Sequence, residues 1–334
     1  MPFDQRNRRE FMTLLGGAAA AYPLAARAQQ SPGRPLVGVL SPLSPAAAAR
    51  NIDALRAGLR DLGYVEDRNV TLALRFAEGI PARLPELAAE LVALKPDVIL
   101  AGSIGGILAA RNATRTIPLI MMVVSEDPVA LGLVSSITRP GGNITGIWMF
   151  GDDSLVGKRL EFLKHVVPGL VRIGVIVNPG DPSDAIVLKR VPAAARAIGL
   201  DFTVFEVRTP AELETVFAAA ARAGVQALFV SQSPLFTSRP AEIAAMVARV
   251  RLPAVYGFRE FAEAGGLISY GASLQDVYRQ SARLMDKIFK GANPADLPVE
   301  VPVRFELLVN LKAAKAIGLT ISDSFVTLAD EVIE

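Results

Sequence analysis

Apolar runs of strand length alternate along the chain with longer segments that repeat apolar residues every three or four positions, as on one face of a helix. In the first half, the predicted strands are Leu36–Leu40, Val70–Phe76, Val98–Ala101 and Leu119–Val124. The predicted helices between them are Pro45–Leu62, Leu84–Leu94 and Ile107–Arg115. Strands that alternate with helices through short connections predict a parallel sheet with helices on both faces.

The same order of elements returns in the second half. Further strands are predicted at 171–177, 202–207, 225–230 and 253–256, with helices at 182–199, 210–224 and 239–251. Pro118 and Pro253 open equivalent strands in the two halves. The repeat predicts an α/β protein with two similar doubly wound parallel-sheet lobes rather than one long sheet.

The two halves are joined by a segment that ends in a dense turn signal, RPGGN at 139–143. The tail after the second half has a strand at 267–271, a helix at 274–290, a strand at 305–311 and a helix at 312–318, too little for a third lobe. We therefore expect three crossings between lobes, near Gly146, Tyr270 and Val301, which form a stiff hinge. The expected lobes are 34–146 with 271–300 and 147–270 with 301–334.

Residues 1–28 have the pattern of a twin-arginine export signal. Arg8 and Arg9 precede the apolar run Met12–Leu24, and residues 26–28 read A-R-A, a cleavage motif. A membrane-anchoring helix is the alternative, but the apolar run is short for a membrane span. No Cys stands at the cleavage site to carry a lipid. We therefore expect a soluble periplasmic protein whose mature chain begins at Gln29.

Composition and charge narrow the possible functions. The sequence has no Cys and one His, which excludes disulfides and thiolate sites and argues against a histidine metal cage. The precursor carries a net charge of +2, and all of it lies in the export signal. A mature chain without net charge or a basic patch gives no indication of nucleic-acid binding. We expect a monomer that needs no cofactor.

Ligands of doubly wound sheets bind at the carboxyl ends of strands, where loops meet helix N-termini. In the first lobe, such loops supply the candidate ligand contacts Ser41, Pro42, Gly102, Ser103, Ile104, Gly105 and Asp127. Unpaired backbone N–H groups in the Gly-Ser loop favour an anion such as a carboxylate. Two alternatives stay open: Ser103 can be a simple N-cap, and Asp127 can cap a helix that begins at Pro128 instead of binding an ammonium group.

The second lobe and the crossings supply further candidates: Trp148, Asn178, Gln232, Ser233, Tyr256 and Tyr270. A tyrosine can offer a ring face and a hydroxyl to a ligand, although Tyr270 can equally pack in the hinge. Trp148 can form a wall of the cleft or belong to the core. His165 near a helix C-terminus fits an interaction with the helix dipole better than catalysis.

Three stretches have a specific pattern: DPVALGLVSSITRPGGNITG (127–146), RLPAVYGFREFAEAGGLISYG (251–271) and FELLVNLKAAKAIGL (305–319). In these the chain resembles the substrate-binding proteins of ABC transporters, in the group of tryptophan/tyrosine-binding lipoproteins. That group is related in fold to the leucine/isoleucine/valine-binding proteins. The resemblance covers nearly the whole mature chain.

The resemblance implies the type I periplasmic fold and a ligand that is enclosed between the lobes and delivered to a membrane permease. It also implies that residues 103–105 hold a ligand carboxylate and that Asp127 faces a ligand ammonium group. This chain departs from the group because it has no lipobox Cys. The expected ligand is an amino acid or another small carboxylate with an apolar or aromatic body.

Three functions are compatible with these patterns: a transport receptor, a sensor subunit for a membrane receptor, and a periplasmic hydrolase or isomerase. The sequence has no G-x-S-x-G, H-E-x-x-H or P-loop motif, so we expect a binding protein and not an enzyme. The sequence does not separate transport from sensing.

Overall fold

The computed structural model describes residues 33–124, 126–149 and 153–334. Residues 35–334 form one compact unit. The predicted export signal, residues 1–28, lies outside the described residues. Among the helices that are described, none combines the length and the apolar character that a membrane crossing requires.

The first lobe is built on a five-stranded parallel sheet in the order β2-β1-β3-β4-β5. Its strands are β1 (Leu36–Ser41), β2 (Thr71–Phe76), β3 (Val98–Gly102), β4 (Leu119–Val124) and β5 (Ile144–Trp148). Its helices are α1 (Pro45–Asp61), α2 (Leu84–Ala93) and α3 (Ser103–Ala113). β1 and β3 lie at the centre and are buried almost throughout, as expected for parallel strands covered on both faces.

The second lobe is built on a seven-stranded sheet in the order β12-β11-β10-β9-β8-β6-β7. Its strands are β6 (Arg172–Val177), β7 (Asp201–Glu206), β8 (Ala227–Val230), β9 (Ala254–Tyr256), β10 (Ile268–Ala272), β11 (Phe305–Asn310) and β12 (Glu331–Ile333). The β10–β11 pair is antiparallel and the other pairs are parallel. A sheet that is parallel apart from one pair confirms the predicted α/β class.

Nine helices flank or follow these strands in the part of the chain that the structure describes. They are α4 (Asp153–Val166), α5 (Pro182–Ala197), α6 (Leu213–Arg222), α7 (Pro234–Thr237), α8 (Pro240–Arg249), α9 (Arg259–Glu263), α10 (Leu274–Phe289), α11 (Leu311–Ala316) and α12 (Asp323–Val326). Short 3₁₀ turns lie at Pro81–Arg83, Pro210–Glu212 and Pro294–Asp296. Several helices begin after a side-chain cap; Ser273, for example, accepts a hydrogen bond from Asp276 N at the start of α10.

The chain passes between the lobes three times. β5 belongs to the first sheet and β6 to the second, so the first crossing follows Trp148. α10 leaves the second sheet after β10 and packs against α1 of the first lobe, and β11 then returns to the second sheet. The three-crossing hinge therefore exists, while the lobe boundaries 34–146 with 271–300 and 147–270 with 301–334 stay a proposal.

Two local expectations are wrong. The segment after Pro128 is not a helix but a series of turns that runs to Gly132, where φ is 63°. Residues 103–106 are not an open loop, because they form the first turn of α3. Ser103 Oγ accepts a hydrogen bond from Gly106 N at 3.2 Å, so this serine side chain satisfies a free N–H of the first turn.

Candidate functional site

A cavity lies between the two lobes, at the carboxyl ends of the central strands of both sheets. Its volume is about 690 Å³, counting the part that opens to solvent. Gly102 at the end of β3 and Ser103 at the start of α3 lie on one side of it. Gln232 after β8 and Phe258 after β9 lie on the other side. This is the position at which α/β sheets bind ligands, and here two such positions face each other.

The cavity wall is mostly apolar, with a few polar groups. The apolar lining residues are Pro42, Leu43, Val123, Met149, Leu155, Pro234, Phe258 and Leu274. Glycine and polar or hydroxyl-bearing side chains complete the wall at Asn51, Gly102, Ser103, Ser183, Gln232, Thr237 and Tyr278. An apolar cavity with a small number of polar groups is the usual composition of a site for a small organic molecule.

The first lobe forms its side of the cavity from a closely packed backbone. A Cβ at Gly102 would lie 3.0 Å from Pro42 Cδ, so glycine lets these two strand ends approach each other. Ser103 and Val123 have φ values of 68° and 56°, which are strained for non-glycine residues and most of all for a β-branched one. Two of the six non-glycine residues with positive φ in the described part of the chain therefore line the cavity.

Asn51 and Tyr278 complete the first-lobe side, and neither was predicted. Asn51 on α1 is buried, and its Oδ1 has no hydrogen-bond partner among the described residues. Tyr278 on α10 is also buried. Burial raises the pKa of its hydroxyl to about 12, although its hydrogen bond with Ser41 acts to lower the pKa. A sequence pattern could have indicated that Asn51 is buried. Ala48, Asn51, Leu55 and Gly58 follow one another at intervals of three or four residues, and this face of α1 is buried.

On the second lobe, Gln232 lines the cavity while Asn178 and Ser233 support it from behind. Asn178 Nδ2 donates to Ser233 Oγ at 3.2 Å, and both side chains are buried. Ser233 also caps the short helix α7. Gln232 Oε1 accepts a hydrogen bond from Arg159 Nη1 at 3.1 Å, which fixes the orientation of its amide.

Three of the other predicted contacts lie away from the cavity lining. Ile104 is in the first-lobe core, and Tyr256 is buried in the second-lobe core, stacked on Phe261. Tyr270 packs edge-to-face against Phe162. Their role in ligand binding stays a prediction, and nothing in the placement of their side chains adds to it.

The remaining candidates do not line the main cavity. Asp127 Oδ1 accepts a hydrogen bond from Val129 N at 2.8 Å, which is a turn-capping contact. Trp148 is half-buried against the first-lobe core. Gly105 lines a smaller adjoining pocket, which Ser103 and Pro42 also line. Ser41 forms a hydrogen bond with the cavity-lining residue Tyr278. Of the predicted contacts, Pro42, Gly102, Ser103 and Gln232 line the cavity itself.

Two buried carboxyl groups lie behind Ser183 of the cavity wall. Asp184 is fully buried, and its Oδ2 accepts hydrogen bonds from Asn178 N at 2.5 Å and Ser231 Oγ at 2.7 Å. Burial, together with the charge of the neighbouring Asp181, raises the pKa of Asp184 to about 8. Asp184 is therefore mostly protonated at neutral pH, and the site carries less negative charge than its sequence indicates.

The raised pKa of Asp184 predicts how stability depends on pH. The folded protein keeps the proton on Asp184 at pH values where the unfolded chain has lost it. The contribution of this proton to the stability of the folded state is therefore complete below about pH 4 and is lost as the pH rises through about 8. Between pH 5 and pH 8, we expect the wild type to lose on the order of 2–4 kcal/mol more unfolding free energy than Asp184→Asn. Urea unfolding at both pH values measures this, with exposed Asp201→Asn as the control. Equal losses in the wild type and Asp184→Asn would contradict the prediction.

Several contacts join the lobes around the cavity. Ile186 on α5 of the second lobe is buried among apolar side chains of the first lobe, where α5 lies against α3. Arg50 on α1 forms a bidentate ion pair with Glu263 on α9, in which Nη1 and Nη2 each donate to one carboxylate oxygen. The structure is therefore a closed arrangement of the two lobes.

Residues 36–333 match the sequence family described as ABC transporter substrate binding protein. The chain belongs to this family. The match spans both lobes and confirms the resemblance that the three sequence stretches indicated. Family membership accounts for the two facing strand-end sites, because a substrate-binding protein needs a cleft that both lobes line.

Individual relatives of this ABC substrate-binding chain support the same fold. The tyrosine-binding protein of Clostridioides difficile (strain R20291) is 26% identical over 261 residues, which cover 78% of this chain and 74% of that protein. A conserved domain protein from Vibrio cholerae has a TM-score of 0.83 at 25% identity, over 90% of this chain and 99% of that one. An ABC domain in complex with L-Trp from Streptococcus pneumonia has a TM-score of 0.81 at 24% identity, over 90% and 100%. The fold is that of the type I periplasmic binding proteins.

Proposed function

We propose that this protein is the extracytoplasmic receptor of an ABC importer and that it closes its lobes on an amino acid with an aromatic or apolar side chain. The observation that carries the proposal is the cavity between the lobes. Its apolar residues, among them Phe258, Leu155 and Met149, suit the body of such a ligand.

The polar groups of the cavity suit the two charged ends of an amino acid. Asn51 Oδ1 is a buried acceptor without a partner among the described residues, which suits an ammonium group. Ser103 near the N-terminus of α3 and the amide of Gln232 are donors, which suit a carboxylate. We propose these three residues, with Pro42 and Gly102, as the ligand contacts. Asn51 replaces Asp127 as the ammonium partner, since Asp127 caps a turn away from the cavity lining.

The relatives support the ligand class. One is named a tyrosine-binding protein, and the structure of another was determined with L-Trp. Both ligands have an aromatic body and two charged ends, which match the apolar wall and the polar groups of the proposed site. A bound ligand would also exclude water from the cavity, which strengthens these polar contacts.

Several further parts of the proposal rest on the family and the sequence. We propose export to the periplasm by the twin-arginine route, delivery of the ligand unchanged to a membrane permease, and action as a monomer. The family is one of substrate binding proteins and one relative is named a tyrosine-binding protein, which supports a receptor that performs no chemistry. Transport is preferred over sensing because the matching family is that of ABC transporter substrate binding proteins.

A thermal-unfolding screen tests the proposal. We expect L-tryptophan, L-tyrosine or a related amino acid to raise the melting temperature, by the equivalent of about 2.7 kcal/mol at a ligand concentration 100 times the Kd. Native mass spectrometry of the freshly purified protein should show the mass of any ligand that copurifies. If the whole panel of amino acids and aromatic acids leaves the melting temperature unchanged, and no ligand copurifies, the proposed ligand class is wrong.

A further inference from the structure

A buried arginine lies directly behind the cavity wall. Arg159 on α4 is 3% exposed; its Nε donates to the Tyr270 carbonyl at 2.7 Å and its Nη1 donates to Gln232 Oε1 at 3.1 Å. Nη2 has no hydrogen-bond acceptor, and no carboxylate pairs with the guanidinium, among the residues that the structure describes. Burial lowers the pKa of Arg159 to about 10, so the side chain keeps its charge at neutral pH.

An isolated charge in this position calls for an explanation. Transfer of an ion from water into a protein interior is costly unless an opposite charge and hydrogen bonds compensate for it. Here two neutral oxygens, from Tyr270 and Gln232, supply part of that compensation. An anion on the cavity side of Gln232 would supply the rest.

The geometry connects Arg159 to the cavity through Gln232. Leu155 and Arg159 lie one turn apart on the same face of α4, and Leu155 and Gln232 both line the cavity. A guanidinium has only N–H donors, so the amide oxygen of Gln232 must face it. The Nε2 amide group is then the part of Gln232 that remains to donate to a ligand, with the Gly257 carbonyl as a distant acceptor at 3.5 Å.

Two glycines make room for this arrangement. A Cβ at Gly257 would lie 2.3 Å from the Gln232 side chain. A Cβ at Gly271 would lie 2.0 Å from Gly257 O and 3.2 Å from Arg159 Nη2. Glycine at position 257 therefore leaves room for Gln232, and glycine at position 271 lets β10 approach the backbone of Gly257 beside Arg159.

We propose that Arg159 is the residue that makes the site selective for a carboxylate-bearing ligand. It acts as a positioning residue: it holds the Gln232 amide with its donor free and places a positive charge behind it. This inference rests on the proposed function and goes beyond it, because it gives the buried charge of Arg159 a role in orienting the Gln232 donor toward the ligand carboxylate. The carboxylate would then join the two lobes in the closed state.

The test compares an amino acid with its amide, which has the same body and ammonium group but no carboxylate. Calorimetry gives the Kd of the wild type, Arg159→Met, Arg159→Lys and Gln232→Leu for L-tryptophan and L-tryptophanamide. We expect Arg159→Met and Gln232→Leu to lose about 10- to 100-fold in affinity for the acid and much less for the amide. Arg159→Lys keeps the positive charge but not the planar guanidinium group with its several N–H donors. It should therefore retain part of the preference for the acid over the amide.

The matched control is Lys158→Met, which removes an exposed charge from the neighbouring position of the same helix. It should leave the acid-to-amide ratio unchanged. Equal losses for acid and amide in Arg159→Met would show a structural role and overturn the inference. If that variant does not fold, Arg159→Lys decides, because an acid-to-amide affinity ratio equal to that of the wild type would overturn the inference. If the wild type binds another amino acid of the thermal-unfolding panel instead of L-tryptophan, that amino acid and its amide replace the two compounds. A wild type that binds no member of the panel would overturn the proposed function, and the inference with it, whereas wild-type binding without preference for the acid would overturn the inference alone.

Discussion

Replacement of Gly146 by alanine is expected to lower the free energy of unfolding by about 3 kcal/mol or more. Gly146 lies in β5 with a φ of 146°, a conformation that L side chains rarely adopt. A Cβ there would lie 2.2 Å from Met121 O and 2.6 Å from Met121 N. Because Met121 is the β4 residue paired with Gly146, the two strands would have to separate at the entrance to the first crossing. Urea unfolding followed by circular dichroism measures the loss.

Gly142→Ala is the matched control for this effect. Gly142 belongs to the Pro-Gly-Gly-Asn segment just before β5, and a Cβ added there would have no other atom within 4 Å. Its φ is not positive, so alanine fits its backbone conformation. We expect its substitution to change stability by no more than about 0.5 kcal/mol. If Gly146→Ala and Gly142→Ala unfold at the same urea concentration, the close β4–β5 approach is not as described.

Replacement of Ile186 by aspartate is expected to hold the lobes apart. In the closed structure Ile186 on α5 is buried against the apolar side chains of the first lobe. A carboxylate in that position would be removed from water without a partner, which penalises closure by about 3 kcal/mol or more. Since the proposed ligand contacts come from both lobes, the affinity for the ligand should fall by about 100-fold or more.

Ala185→Asp provides the control, because it adds the same charge at the exposed neighbouring position of the same helix. We expect wild-type ligand affinity for this control. Small-angle X-ray scattering at saturating wild-type ligand concentration should show a larger radius of gyration for Ile186→Asp than for Ala185→Asp. Equal affinity and equal radius in the two variants would mean that the Ile186 contact does not contribute to closure.

Most of the fold could be predicted from periodicity, because the strands are apolar runs bounded by clear stop signals. β1, β4 and β6 lie within a residue or so of their predicted bounds. The small elements α7, α9, α12 and β12 were not predicted, since segments of three to five residues carry too little periodicity to recognise. The predicted helix at Pro128 failed because a favourable first position does not guarantee the hydrogen bonds that would continue the helix.

The candidate site was predicted less completely, for a physical reason. Strand-end loops can be located from sequence, which is why four of the predicted contacts line the cavity: Pro42, Gly102, Ser103 and Gln232. Asn51 and Tyr278 come from helix faces, and their position depends on how those helices pack across the lobe. Arg159 belongs to the same class: its sequence context is that of an ordinary amphipathic helix, and only the packing reveals that its charge is buried.

The central claim is that the two lobes close on one amino acid in the cavity between them. A crystal structure of the protein, grown with the amino acid that most raises its melting temperature, tests this claim most directly. We predict ligand density in contact with Asn51 and Ser103 on one side and with Gln232 and Phe258 on the other. A ligand bound outside this cavity, or in contact with a single lobe of a closed molecule, would contradict it.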